Sequence, residues 1–435
     1  MNPSFHFPFR DALRLAAALA VFTSPVCADD QTSWKFSFGP GKVPPDYTQV
    51  TPTSAYSDST GFGFEPGTTV TATDRNGDDP TTAGFVTSDK PFYFSVKVPP
   101  GNYNVTVTLG DLNDVSATTV KAESRRLMLE HIVTTKGQTV TRTFTVNVRT
   151  PAIAGGGQVS LKDREKTEEW GDWDDKLELE FNDTHPCLCS MTIDKVDCPT
   201  VFIMGDSTVC DQPVEPWNSW GQMITRFFKP GVAVSNQAES GEAIASSLHA
   251  RRFDKVFGDM KEGDYLFIQF GHNDQKEKPP ASAMGSYKDD YEKKCIEPFK
   301  SKGGNVVVVT SMFREGDATS GKWDSLKDFP EAARQAAADE GVTLIDLNAM
   351  SKLFYTALGS NVHAAFALTD HTHHNNYGSY ELAKCVIEGI RQSKLDLAKF
   401  IVDDDTGFDP SKPDPADTFV MPASVASGTV KPEGN

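Results

Sequence analysis

The stretch Val201-Phe-Ile-Met-Gly-Asp-Ser-Thr208 decides the fold of the second half of the chain. Its four apolar residues predict a strand that is buried on both faces, and Gly-Asp-Ser ends that strand in a polar turn. Similar apolar runs follow, at residues 232–235, 265–270, 306–310 and 342–345. Longer segments with helical character separate these runs, at residues 219–228, 243–257, 287–300 and 330–340, and residues 377–393 form a last helix. Strand–helix alternation of this kind predicts an α/β domain over residues 199–400, with a parallel sheet covered by helices on both faces.

The first half of the chain has a different pattern. Residues 91–98 and 103–109 alternate between apolar and polar side chains, and the turn Pro99-Pro100-Gly101-Asn102 separates them. Residues 139–148 and 176–181 have the same character. Short alternating strands with regular turns predict an all-β sandwich over residues 33–196.

The two ends of the chain lie outside these domains. Residues 1–28 have the layout of a signal peptide, because Arg10 and Arg14 precede an apolar segment and small residues lead to a cleavage site after Ala28. We therefore expect a secreted or periplasmic protein. Residues 401–435 are rich in Asp, Pro, Ser and Gly, which predicts an extended C-terminal tail.

Composition excludes several classes of function. The formal net charge of −18 leaves no surplus of Lys and Arg to neutralise phosphates, so neither nucleic acid nor an anionic membrane is expected as a partner. An acidic polysaccharide would have to be met by local basic groups.

Six cysteines remain after removal of the predicted signal peptide. Cys187, Cys189, Cys198 and Cys210 cluster near the predicted domain boundary, and export would allow a disulfide bridge among them. The sequence leaves the pairing open. A zinc site at Cys187 and Cys189 is disfavoured, since no second pair stands at ligand spacing.

Four polar stretches carry residues suited to catalysis. Ser207, Gly241 and Asn273 each follow a predicted strand, and the carboxyl ends of parallel strands meet at one edge of a sheet. Ser207 offers a hydroxyl, Gly241 a close backbone N–H, and Asn273 a side-chain amide. Asp370 and His373 stand three residues apart, so that the carboxylate can orient the imidazole as a general base. Each stretch alone is compatible with an ordinary turn or cap.

Taken together and in chain order, these stretches resemble the four sequence blocks of the SGNH hydrolases. Phe-Ile-Met-Gly-Asp-Ser-Thr, Asn-Gln-Ala-Glu-Ser-Gly, Phe-Ile-Gln-Phe-Gly-His-Asn-Asp and Asp-His-Thr-His-His-Asn look most like rhamnogalacturonan acetylesterases. The resemblance implies a flavodoxin-like α/β/α fold and a serine esterase. Many relatives have Arg after the second-block glycine, where this chain has Glu242. The first domain resembles galactose-binding-like sandwiches.

The resemblance implies a catalytic triad of Ser207, Asp370 and His373, and an oxyanion hole formed by Ser207, Gly241 and Asn273. The reaction then needs a neutral imidazole and no metal. A metal site built from the histidines of residues 363–374 is the disfavoured alternative, because no Glu-containing zinc motif accompanies them. The oxygen-rich loops at residues 74–78 and 171–175 are candidates for a structural calcium ion, with solvated turns as the alternative.

An acetylated plant polysaccharide, such as rhamnogalacturonan, is the expected substrate. Arg251, Lys276 and Arg314 are candidate contacts for its uronate carboxylates, with ordinary surface as the alternative role. Acetylated xylan is the nearest rival substrate. A lipase or thioesterase would need an extended apolar trough, and the intact triad residues argue against a glycan-binding protein without catalysis.

Overall fold

The computed structural model describes residues 31–169, 171–426 and 432–433. The predicted signal peptide, residues 1–28, lies outside this range. Twelve strands form the first part of the chain: β1 (Ser33–Phe38), β2 (Thr48–Val50), β3 (Phe62–Phe64), β4 (Thr71–Asp74), β5 (Gly84–Thr87), β6 (Phe92–Lys97), β7 (Gly101–Leu109), β8 (Ser116–Ala122), β9 (Arg126–Thr134), β10 (Val140–Val148), β11 (Lys176–Asn182) and β12 (Cys187–Val196). A short helix, α1 (Asp163–Thr167), lies between β10 and β11.

These strands form two sheets packed face to face. One sheet has the order β10-β7-β12-β1-β2, with β5 also paired to β12 and β4 to β5. The other has the order β3-β6-β11-β8-β9. Alternating side chains fill the space between them; Phe36 of one sheet, for example, packs edge-on against Phe94 of the other, with ring centroids 5.3 Å apart. The all-β prediction is confirmed.

The second part of the chain is built on five parallel strands: β13 (Thr200–Gly205), β14 (Ala233–Asn236), β15 (Tyr265–Gln269), β16 (Asn305–Val309) and β17 (Thr343–Ile345). They lie in the order β14-β13-β15-β16-β17. The α-helices are α2 (Trp220–Met223), α3 (Ile244–His249), α4 (Arg252–Asp259), α5 (Lys288–Asp290), α6 (Glu297–Ser301), α7 (Glu315–Ser320), α8 (Phe329–Glu340), α9 (Leu347–Leu358) and α10 (Asn376–Gln392). This order confirms the predicted α/β fold.

Successive residues of β13 point into two separate cores. Val201 and Ile203 belong to the core formed with α2, α9 and α10. Phe202 and Met204 belong to the core formed with α4 and α8. A strand buried on both faces explains the unbroken apolar run in the sequence. Because β14 and β15 flank β13 on opposite sides, the chain reverses its winding direction at the carboxyl end of β13, which is where doubly wound sheets bind their ligands.

Two sequence expectations need correction. The helical segment predicted over residues 243–257 is divided into α3 and α4 at Arg251, whose backbone is left-handed with φ 64°. The disulfide bridge that export would allow near the domain boundary does not form, because all six cysteines among the described residues are unpaired. Their thiols are buried in the fold instead, and burial raises the pKa of Cys187 to about 12. In addition, helix α9 occupies residues 347–358, for which the sequence pattern predicts no element.

The sandwich is joined to the α/β core by the turn between β8 and β9. Leu127, at the start of β9, is fully buried in the same core as α2 and α10. Beside it, Gln222 donates to the Ser124 carbonyl at 2.5 Å, and Thr225 donates to the Leu127 carbonyl at 2.7 Å. This turn therefore serves as packing for the second domain.

Within the described part of the C-terminal tail, Ala423 and Ser424 contact the sandwich. Asn182 donates to the Ala423 carbonyl at 2.9 Å, and the Ser424 hydroxyl donates to Glu180 at 2.7 Å. The described part of the tail is extended, as expected, yet it is held by buried polar contacts. Within residues 31–169, 171–426 and 432–433, no helix has the length and apolar character that crossing a membrane requires.

Candidate active site

Ser207 lies in the tight turn that follows β13 and is only 1% exposed. Gly205 allows this turn to pack closely, since a Cβ there would lie 2.8 Å from the Gln269 carbonyl oxygen. Asp206 closes the turn by accepting hydrogen bonds from the backbone N–H and the hydroxyl of Thr208, at 2.9 and 2.8 Å. The polar residues around the serine thus fix the local backbone that positions its hydroxyl.

The structure brings Ser207, His373 and Asp370 into one hydrogen-bonded line. The Ser207 Oγ and His373 Nε2 atoms are 2.6 Å apart, although 166 residues separate them in the chain. On the other side of the ring, His373 Nδ1 lies 2.7 Å from Asp370 Oδ2. With the Nδ1 proton held by the carboxylate, Nε2 is left as an acceptor facing the hydroxyl. This arrangement can activate a serine nucleophile.

Asp370 is held as an anion by its surroundings. Its Oδ1 atom accepts from the backbone N–H groups of Thr372 and His373, at 2.9 and 3.0 Å, and Trp217 Nε1 donates to Oδ2 at 3.3 Å. Burial alone would raise the pKa of this carboxyl, but the hydrogen bond and charge of His373, together with the backbone donors, lower the pKa well below its usual value. The carboxylate can therefore stabilise an imidazolium.

Gly241 and Asn273 lie on the two neighbouring loops, after β14 and β15. Gly241 has φ +77°, a conformation that favours glycine. The Asn273 side-chain amide donates to the Glu242 carbonyl at 3.0 Å, which fixes one N–H and leaves the other to point elsewhere. Gln212 connects the loop after β14 to the serine, because its amide donates to the Ser207 carbonyl at 2.7 Å and to the Ser240 hydroxyl at 3.4 Å.

The histidines around residue 373 have different environments. His374 is buried, with Nε2 2.6 Å from the Tyr355 hydroxyl, and burial followed by the positive charge of His373 lowers its pKa to about 3. His371 is exposed and pairs with Glu315 at 2.5 Å. Each histidine thus has a protein partner of its own.

The candidate substrate-contacting cations lie in different places. Arg251 pairs with Asp254 at 2.8 Å and touches the Gly156 carbonyl of the first domain at 3.4 Å. Arg314 donates to the His272 carbonyl at 3.4 Å, so it supports the loop that carries Asn273. Lys276 ends a short 3₁₀ turn after Asn273. The substrate role of these three residues stays a prediction.

The first domain contributes residues that sequence reasoning missed. Arg126 is buried and binds Asp211 at 2.7 Å and Asp172 at 3.1 Å. Asp211 in turn accepts from Asn236, at the end of β14, at 2.9 Å. Arg125 donates to the carbonyls of Gln212 and Trp217, at 2.9 and 3.0 Å. Two adjacent arginines of the sandwich therefore support the loop that follows Ser207. Their only sequence signal is a pair of like charges before a strand.

Among the described residues, two groups of side chains lie close enough together to share a metal ion, and each group forms an ion pair with an arginine. Glu165, Glu169 and Glu239 form one group, with Arg252 2.6 Å from Glu165 and Arg164 2.7 Å from Glu169. Asp111, His185 and Cys187 form the other, with Arg75 3.4 Å from Asp111.

In each of the two loops proposed for calcium, a carboxylate forms an ion pair with a lysine. Asp78 pairs with Lys42, and Asp174 with Lys176. Calcium in these loops stays a prediction.

Comparison with known proteins places both parts of the chain. The profile of the GDSL-like lipase/acylhydrolase family matches residues 203–379, and the profile described as Beta-agarase/YXIM esterase-like, galactose-binding domain-like matches residues 34–154. Rhamnogalacturonan acetylesterase RhgT of Bacillus subtilis is 34% identical over 219 residues, covering 46% of this chain and 94% of that protein.

A second relative from B. subtilis, the uncharacterized esterase YxiM, is 27% identical over 390 residues, or 85% of this chain and 94% of that protein. Its crystal structure superposes with a TM-score of 0.46 at 24% identity, covering 84% of this chain and 99% of that one.

The fold and the sequence matches define an ester hydrolase of the SGNH type, preceded by a galactose-binding-like domain. The chain belongs to the GDSL-like lipase/acylhydrolase family.

Proposed function

We propose that this protein removes acetyl groups from rhamnogalacturonan through an acetyl-enzyme intermediate on Ser207. The observation that carries the proposal is the buried relay from the Ser207 hydroxyl through His373 to Asp370. The relatedness to a rhamnogalacturonan acetylesterase supports the choice of substrate.

In the first step, the Ser207 oxygen attacks the acetyl carbonyl carbon while His373 Nε2 takes the hydroxyl proton. The carbonyl oxygen becomes an oxyanion, which the backbone N–H groups of Ser207 and Gly241 and the free amide N–H of Asn273 bind. Each such donor typically contributes about 3 kcal/mol to lowering the barrier. Asp370 stabilises the imidazolium that has formed.

In the second step, the bond between the carbonyl carbon and the sugar oxygen breaks, and His373 returns its proton to that oxygen. Water then attacks the acetyl-serine with His373 as base, and acetate leaves as Ser207 regains its proton. The reaction as a whole consumes one water and yields a free sugar hydroxyl and acetic acid.

The test compares acetate release by the wild type and by Ser207→Ala on acetylated rhamnogalacturonan, acetylated xylan and 4-nitrophenyl acetate. We expect Ser207→Ala to lose at least about 10³-fold in kcat. Ser379→Ala is the matched control, since Ser379 is fully buried and its hydroxyl has no hydrogen-bond partner among the described residues. Wild-type rates in Ser207→Ala would refute the nucleophile, and equal, slow rates on all polysaccharides would refute the substrate.

We also propose that the protein acts outside the cytoplasm, since its polymeric substrate lies there and residues 1–28 have the layout of an export signal. Mass spectrometry of the secreted protein should find an N-terminus at residue 29. Full-length protein retained in the cytoplasm would contradict this.

A further inference from the structure

Lys162 brings a positive charge from the first domain to the loop that carries Gly241. It directly precedes α1, far from that loop in sequence. Its ammonium group donates to the Ser240 carbonyl and lies 3.2 Å from Glu242 Oε1. An ammonium has three N–H donors, so these two contacts hold the group in place and leave a third donor.

Two serine hydroxyls hold the Glu242 carboxylate in place. Its other oxygen, Oε2, accepts from the hydroxyls of Ser246 and Ser247, at 2.5 and 3.1 Å. Burial would lower the pKa of Lys162, but the charges of Glu242, Glu239 and Glu433 outweigh that effect and raise it. The ammonium therefore stays charged and is held rigidly at the edge of the catalytic loop.

A carboxylate from the far end of the chain faces the third donor. Glu433 Oε2 lies 3.5 Å from Lys162 Nζ. The same oxygen lies 3.3 Å, and the Lys162 nitrogen 3.4 Å, from the position that a Cβ on Gly241 would occupy. A carboxylate thus rests directly on the glycine whose N–H we assign to the oxyanion hole. The Glu433 side chain is 63% exposed, so it can leave this position without unfolding the core.

We propose that Lys162 forms a carboxylate-binding subsite beside the catalytic serine, which accepts a uronate group of the substrate, and that Glu433 occupies this subsite until the substrate displaces it. The inference rests on the proposed function, because it concerns an acetylated polymer that contains uronic acid. A net charge of −18 repels such a polymer overall, so a fixed local cation is needed to bind it next to Ser207.

The experiment measures binding to Ser207→Ala protein, in which substrate is not consumed. The probes are rhamnogalacturonan oligosaccharides with free carboxylates and the same oligosaccharides after chemical reduction of the carboxyl groups to alcohols. The readout is the ratio of the two Kd values, which a general loss of folding does not change selectively. Lys166→Met is the matched control, since Lys166 lies in α1, is exposed and pairs with Asp163.

With Lys162→Met, we expect the preference for the carboxylated probe to fall about tenfold, as for loss of one partly buried charge-assisted contact. Lys162→Arg should keep most of the preference. Glu433→Gln should bind the carboxylated probe several-fold more tightly than its parent, because the internal competitor is weakened, with little change for the reduced probe.

An unchanged ratio in Lys162→Met overturns the subsite. If Lys162→Met does not fold, Glu433→Gln decides, and equal affinity of Glu433→Gln and its parent for the carboxylated probe overturns the proposal. These outcomes are separate from failure of the proposed function, which would appear as absence of acetate release by the wild type from the same polymer.

Discussion

Replacing Asp370 with Asn tests whether the carboxylate sets the protonation of the catalytic histidine. Four donors contact Asp370 as described above: His373 Nδ1, Trp217 Nε1 and two backbone N–H groups. An amide has only one acceptor atom. If its oxygen takes the backbone donors, its NH₂ group faces the imidazole, and His373 must accept at Nδ1 and carry its proton on Nε2. Nε2 then faces Ser207 as a donor and cannot take the hydroxyl proton.

We therefore expect Asp370→Asn to lose about 10³–10⁴-fold in kcat, or about 4–5.5 kcal/mol of transition-state stabilisation. The assay is initial-rate hydrolysis of 4-nitrophenyl acetate between pH 5 and 9, with a thermal melt of each variant to confirm folding.

The chain provides a matched control for this variant. Glu315 also lies against a histidine Nδ1 atom, that of His371 at 2.5 Å, but the His371 side chain is 73% exposed and lies outside the relay. Glu315→Gln should keep the wild-type rate. A folded Asp370→Asn enzyme within tenfold of wild type across the pH range would refute the assignment of the tautomer.

Three further predictions concern the surroundings of the relay. Trp217→Phe removes one donor to Asp370 and should lower kcat about tenfold in the same assay, while a tenfold change in KM alone would point to a substrate contact instead. Arg126→Ala leaves Asp211 and Asp172 without their closest cation and should lower the free energy of unfolding in urea by about 3–5 kcal/mol. The control Arg142→Ala, at an exposed position, should lower it by less than about 0.5 kcal/mol. Equal effects would contradict the role of the buried ion pairs of Arg126. Burial raises the pKa of Asp274 to about 7, so near neutral pH the folded state keeps a proton that the unfolded chain has released. Wild-type stability should therefore fall by about 4 kcal/mol between pH 4 and 8 through this group. Asp274→Asn should remove that part of the pH dependence. If the urea midpoints of the wild type and of Asp274→Asn shift by the same amount between pH 4 and pH 8, the prediction is wrong.

Much of the α/β domain follows from local sequence signals. A buried parallel strand needs apolar side chains on both faces, so runs such as residues 201–204 and 265–270 identify their strands without any knowledge of partners. The same reasoning places Ser207, Gly241 and Asn273 at strand ends, and topology then brings them to one edge. His373 was identified by its neighbour Asp370, which is again a local signal.

The remaining features depend on contacts between distant segments. Nothing near Arg126 in sequence indicates that its partner is Asp211, and Lys162 is an ordinary lysine until the fold places it beside Gly241. The cysteines illustrate the opposite error. Their clustering in sequence suggested a bridge, but each thiol is buried separately and no bridge forms among the described residues.

Leu127 has a consequence for how the molecule unfolds. A leucine from the sandwich completes the core of the neighbouring domain, so the sandwich cannot lose its structure without opening a cavity in the α/β core. Residues 32–426 should then melt in a single cooperative transition, and the catalytic domain expressed alone would have a cavity beside α2 and α10.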